Sequence, residues 1–180
     1  MRKLSILLIM ALLITGCTSS TKVNSPGFVS PCDQIKLAAS AEKSVVLPCL
    51  DGVGEINFYQ IKGPLVINVW GSWCEGCKQE MPYFVELYQN PVFKRGEIQM
   101  LGVNVEEKSR QAAVTYIQKS GMSWPNLEDT SGVSKSIFGP GVPVTWFIDK
   151  EGITVATKIG AYTNKQQLFN QFEKAFGVKL

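Results

Sequence analysis

The sequence predicts an α/β chain built on a mixed central sheet flanked by helices, and three observations carry that prediction. GPLVINVW, over 63–70, is a continuous apolar run bounded by Gly and Pro, the composition of a strand buried on both faces. A helical stretch follows it, then a second buried strand, EIQMLGVNVE over 97–106, and a second helix. The C-terminal part adds two β-rich runs split by Lys150, Glu151 and Gly152, which reads as a hairpin, and one amphipathic helix. The order βαβα and then ββα buries every apolar face only in a mixed sheet covered on both sides.

The first sixteen residues stand apart from this domain. Arg2 and Lys3 precede an apolar run from Leu4 to Ile14, too short for a bilayer-spanning helix of about 20 residues, so it reads as a secretory signal over 1–16. It ends in Ile14, Thr15, Gly16 and Cys17, which resembles the lipobox of bacterial lipoproteins, in which the cysteine is lipidated. More than one acyl chain makes anchoring stable, so the mature chain is expected on the membrane, outside the cytoplasm. Residues 17–31, rich in Ser, Thr, Asn, Gly and Pro, read as the lipidated Cys17 and a flexible spacer. An N-terminal extension is expected over 32–52 and the main domain over 53–180.

Within the extension, Cys32 and Cys49 each follow a proline and bracket a short helix candidate and a strand-like Val45, Val46 and Leu47. In the main domain a helix is expected over 75–90, kinked at Pro82. The next helix, about 108–120, carries Ala112, Ala113, Tyr116 and Ile117 at helical spacing and closes at Gly121. WPNLED reads as a connector, followed by a short helical turn near 131–138. The last helix, about 164–176, aligns Leu168, Phe169, Phe172 and Phe176.

Composition excludes several function classes. Removing 1–16 leaves 16 basic against 15 acidic residues, and a near-neutral chain offers no electrostatic case for nucleic acid. Histidine is absent, which excludes an imidazole base, a His-ligated metal and a His haem ligand from this chain. No cofactor is implied. Of five cysteines one is assigned to lipid, leaving four where disulfides persist.

Two of those four stand in SWCEGCK. Cys74 lies where a strand ends and a helix starts, so unpaired backbone N–H groups and the helix dipole favour its thiolate. Cys77 is three residues on, on the same helical face and within disulfide reach. Spacing and placement favour a redox pair over a zinc half-site, which would have to recruit Cys32 and Cys49 at irregular spacings. If Cys32 and Cys49 are bonded, a structural bridge outweighs a second redox centre, since neither has CxxC spacing or a helix start.

VINVWGSWCEGCKQEMP together with GVPVTWFID resembles the thioredoxin superfamily, and more closely its TlpA/ResA-like branch of membrane-tethered, extracytoplasmic thiol-disulfide oxidoreductases, over roughly residues 45–177. The resemblance implies a thioredoxin-like fold, with Cys74 as the exposed nucleophile and Cys77 as the resolving thiol. It implies a cis Pro143 across from the pair, with Val142 offering backbone to an incoming polypeptide, and Trp73 as an apolar rim. Asn68 stands where cytosolic thioredoxins place an acid, and the branch implies Glu80 as the carboxylate that moves protons instead. Gly76 departs from the proline common at that place.

The implied activity is exchange with protein thiols and disulfides, by a monomer recharged from a membrane thiol carrier. Glu75 beside the nucleophile opposes the helix dipole, which favours a reductant serving cytochrome c maturation or thiol repair. The alternatives are an oxidant for exported chains and a metal-binding chaperone of the same fold; the latter resembles a CxxxC pair with a distal His, and neither is present. A peroxidase is disfavoured because GSWCEGC lacks the Pro and Thr upstream of a peroxidatic cysteine.

Overall fold

The computed structural model describes residues 27–180; the signal segment, Cys17 and the spacer up to residue 26 lie outside the described residues. The elements are β1 (Val46–Pro48), β2 (Glu55–Asn57), β3 (Leu65–Trp70), α1 (Glu75–Tyr88), α2 (Pro91–Lys94) and β4 (Gln99–Val105), then α3 (Arg110–Ser120), β5 (Asn126–Asp129), α4 (Lys135–Phe138), β6 (Val144–Ile148), β7 (Thr154–Ile159) and α5 (Lys165–Phe176).

Five strands form the main sheet in the order β5-β4-β3-β6-β7. β3, β4 and β5 are mutually parallel, while β6 is antiparallel to β3 and β7 to β6. Every residue of β3 and β4 is buried, as central strands covered on both faces require. Alternation along β3 then divides the core. Val66 and Trp70 pack with Met81, Phe84, Ile117 and Phe172 of α1, α3 and α5, whereas Leu65, Ile67 and Val69 pack with Leu47, Ile56, Phe58 and Phe138. Helices therefore lie on both faces, but unevenly: the long ones share one face, and the other is closed by one-turn α4 and by the N-terminal extension.

Three sequence expectations change. The helix candidate after Cys32 is a single 3-10 turn, Cys32–Gln34, and the extension is instead a small antiparallel β1–β2 ladder that straddles the expected boundary at 52. The supposed connector contains β5. Asn126, Glu128 and Asp129 can occupy a buried strand because each polar group is met: Asn126 Oδ1 accepts from the Trp70 indole at 2.9 Å, Arg110 pairs with Glu128 at 2.6 Å, and Asp129 accepts backbone N–H groups from Ser131, Gly132, Val133 and Ser134. Finally, the spacer does not run to Pro31. Gly27 N donates to Gln118 O and Phe28 N to Met122 O, both at 3.0 Å, and Ser30 bridges Pro125. A Cβ on Gly27 would stand 2.1 Å from Ile117 O, so only glycine permits this docking.

α1 ends at Tyr88 because Asn90 caps a new turn, its side chain accepting from Val92 N with Pro91 at the first helical position. Pro82 lies inside α1, which continues through it. Gly121 closes α3 at a φ of 83°. Among the described residues no helix is long and apolar enough to cross a membrane.

Candidate active site

The end of β3 and the start of α1 build the site. Cys74 is the N-cap of α1, and its Sγ accepts from Cys77 N at 3.1 Å, so the sulfur takes the place a Ser or Asp oxygen holds in an ordinary cap. A sulfur held against N–H donors at the positive end of a helix is stabilised as an anion. The structure holds the pair oxidised: Cys74 and Cys77 are disulfide-bonded, with Cα atoms 5.3 Å apart. Cys74 is 6% exposed and Cys77 0%. The resemblance implied an exposed Cys74; here both residues are buried, Cys74 slightly less completely than Cys77.

Pro143 closes the site from the opposite side. The Val142–Pro143 peptide bond is cis, and Pro143 leads into β6, whose Val144 pairs with Val69 of β3. A Cβ at position 76 would lie 3.4 Å from Pro143 Cδ and 3.3 Å from Ala161 Cβ, so Gly76 lets the proline loop and the start of α1 approach closely. A second cis bond, Gly63–Pro64, precedes β3 at the far end of the sheet; nothing in the sequence marked it. Beside Val142 lies an apolar hollow walled by Val69, Val105 and Phe138, with the Glu106–Lys135 ion pair at its rim.

Trp73 is 47% exposed, and its indole N–H donates to Val105 O at 3.2 Å, so the ring lies at the mouth and is fixed to β4. Trp70, by contrast, is fully buried. The segment before Cys74 is tied by a residue that sequence reading missed. The Glu107 carboxylate accepts from both the backbone N–H and the hydroxyl of Ser72, and from Asn104 Nδ2 at 3.0 Å. In sequence Glu107 stands in a Glu-Glu-Lys run that reads as solvated surface; only the parallel register of β3 and β4 brings it to the loop.

Glu80 is fully buried under the pair, one helical turn beyond Cys77. Its Oε2 accepts from Tyr162 N at 2.9 Å and its Oε1 from Asn68 Nδ2 at 3.1 Å. Burial raises its pKa from 4.5 to about 7; the bonds from Tyr162 and Asn68 and the charge of Lys158 offset only part of that. A carboxyl that titrates near neutrality can take up and return a proton. Asn68 Oδ1 has no partner among the described residues. Rotating that amide exchanges donor for acceptor, so one side chain can serve either protonation state of Glu80.

Cys32 and Cys49 are bonded to each other, buried, with Cα atoms 6.1 Å apart, on the face of the sheet away from the long helices. Their sulfurs group with Asp51 and not with Cys74 and Cys77, so the structure does not gather the four-cysteine set a zinc site would need. Cys49 also bridges Leu127, which fastens the extension to β5.

A family model described as the AhpC/TSA family matches residues 39–157. A thiol-disulfide oxidoreductase ResA of Bacillus cereus is 30% identical over 169 residues, 92% of each chain, and one of Bacillus anthracis is 29% identical over 160 residues, 88% of each. Among solved structures, StoA from Bacillus subtilis superposes with a TM-score of 0.56 at 23% identity, over 71% of this chain and 95% of that one. A secreted Mycobacterium tuberculosis disulfide oxidoreductase homologous to DsbE gives 0.62 at 18% identity, over 73% and 96%. At those identities the two structures speak for the thioredoxin fold alone. With the family model spanning most of the domain and a relative matched along nearly its whole length, the chain belongs to the AhpC/TSA family and, within it, to the ResA thiol-disulfide oxidoreductases.

Proposed function

We propose that this oxidoreductase is a membrane-anchored, extracytoplasmic reductase of protein disulfides, working in cytochrome c maturation or thiol repair. The observation that carries the reading is a CxxC pair at a helix N-terminus above a buried carboxyl that titrates near neutrality. In the reduced enzyme Cys74 thiolate attacks one sulfur of a substrate disulfide, forming a mixed disulfide and releasing the other sulfur as thiolate. Cys77 thiolate then attacks Cys74 Sγ, the substrate leaves as its second thiolate, and the Cys74–Cys77 disulfide remains. Glu80 accepts the proton of Cys77 as that thiol becomes the attacking group. Two electrons from a membrane thiol carrier return the pair to the dithiol.

The substrate enters as an extended segment along the Val142–Pro143 loop, with Trp73 covering the mixed disulfide and the apolar hollow receiving a neighbouring side chain. Lipid on Cys17 holds the chain at the membrane, where carrier and substrate meet. The pairing of Cys32 with Cys49 serves structure, as burial and distance from the CxxC pair favour.

The test is Cys77→Ser in the native host, with trapped partners identified by mass spectrometry. Mixed disulfides through Cys74 with exported proteins, and a mainly reduced wild-type pool, are the expected result. A mainly oxidised pool, or a potential above about −180 mV where oxidising catalysts lie, assigns the reverse direction.

A further inference from the structure

We propose that the cleft between residues 34–36 and the α2–β4 connection binds anionic phospholipid headgroups, seating the tether end of the domain on the membrane with the CxxC pair turned away. The inference rests on the lipid-anchor reading above and adds a second, protein-borne contact to it.

The cleft holds about 280 Å³ and is lined by Lys36, Lys94 and Arg95 together with Tyr88, Gln99 and Pro125, with no carboxylate in its wall. Lys36 Nζ is fixed at the rim by donating to Gly96 O at 2.7 Å. Lys62 stands next to it, since Lys62 N donates to Lys36 O and Lys62 O accepts from Gln99. The nearby acids are Glu97, which pairs with Arg95, and Asp33. Lys36, Lys62 and Lys94 make no ion pair among the described residues. Exposed cations around a polar hollow suit a phosphodiester, which offers one negative charge and several acceptor oxygens.

The chain's own path selects a lipid over a soluble anion. Phe28 and Ser30 run along Met122–Pro125, and Pro125 is part of the cleft wall, so the chain leaves the described domain beside the cleft. Only residues 18–26 separate Cys17 from Gly27, a span of at most about 36 Å at full extension. A lipid on Cys17 therefore keeps this end of the domain near the headgroups. Phe28, 56% exposed at the exit, adds an apolar side chain suited to the membrane boundary. The CxxC pair lies at the other pole: β3 begins just after Pro64, whose carbonyl accepts from Gln99 N at the cleft, and its six residues rise roughly 20 Å toward Cys74.

The test uses the full chain purified from membranes and reconstituted in phosphatidylcholine vesicles with or without phosphatidylglycerol, read by hydrogen–deuterium exchange. Protection of 34–36 and 93–99 should rise with phosphatidylglycerol, vanish at high salt, and fall about fivefold for each of Lys36→Glu and Lys94→Glu. Exchange at 74–80 and thiol-disulfide turnover should not change. Equal protection in neutral and anionic vesicles overturns the proposal, as does the same protection from inorganic phosphate with neutral vesicles. The salt arm uses wild-type protein, so a poorly folded variant cannot decide the outcome. Mass spectrometry of the Cys17 peptide is read separately: absence of acylation overturns the anchor reading, while the vesicle comparison with unanchored chain still judges the cleft.

Discussion

Glu80 and Asn68 form a pair whose chemistry depends on burial. Because the folded chain holds the Glu80 proton to about pH 7 whereas an unfolded carboxyl releases it near 4.5, the fold binds the extra proton between those values. Stability must therefore fall as pH rises through that window, by about 3 kcal/mol in total. Glu80→Gln keeps the acceptor toward Tyr162 N and removes the ionisation. The variant should match the wild type near pH 4 and exceed it at pH 8 by up to about 3 kcal/mol, with a flat urea midpoint between. An equally steep loss in both proteins would show that another group governs the slope. The same variant should slow disulfide exchange by about 10²-fold, the usual weight of a positioned proton acceptor, and abolish a pH-rate inflection near 7. Glu80 was legible in the sequence through helical spacing and resemblance; Glu107 was not, since its partner Ser72 lies 35 residues away and no local pattern distinguishes it from a solvated acid.

At the scale of elements, pattern reading found the apolar and β-branched strands of the main sheet and missed two others, the three-residue β2 and the polar β5. β5 is a strand because Trp70, Arg110 and the turn after Asp129 satisfy its polar side chains, all from elsewhere in the chain. Its seam with β4 is tight. A Cβ on Gly102 would fall 1.7 Å from Asn126 Oδ1 and 2.9 Å from the Trp70 indole nitrogen. Gly102→Ala should displace Asn126, leave the buried indole N–H unpaired, and cost about 3 kcal/mol. A midpoint within error of the wild type would mean that β5 shifts freely. The Cys32–Cys49 link ties the 3-10 turn at Cys32 to the end of β1 and closes a loop of about 18 residues. Cys32→Ser with Cys49→Ser should lower stability by about 3 kcal/mol while Cys74–Cys77 exchange with a small disulfide keeps its rate. A shifted CxxC potential in that variant would instead mark the second pair as part of the redox path.

Across the whole molecule, the arrangement has two poles. At one, the ends of the parallel strands, α1 and the Pro143 loop place a sulfur pair over a titrating carboxyl; at the other, residues 34–36 meet the α2–β4 connection and Gly27 docks against the end of α3. Alternation of strands and helices made the sheet and its covering predictable, because apolar periodicity is a local property. The poles depend on which loops meet, and that is set by register and by the docking of Gly27 against α3, neither of which leaves a local trace in sequence. One order of events follows from the geometry: Cys74, the less deeply buried of the two at the helix N-cap, reacts outward, and the fully buried Cys77 reacts only with its neighbour. The direct measurement is brief alkylation of the reduced protein across pH, with the modified residue mapped by mass spectrometry. The account predicts modification at Cys74, rising with pH below the pKa of a free thiol, with Cys77 protected. Modification first at Cys77, or at neither thiol, would contradict it.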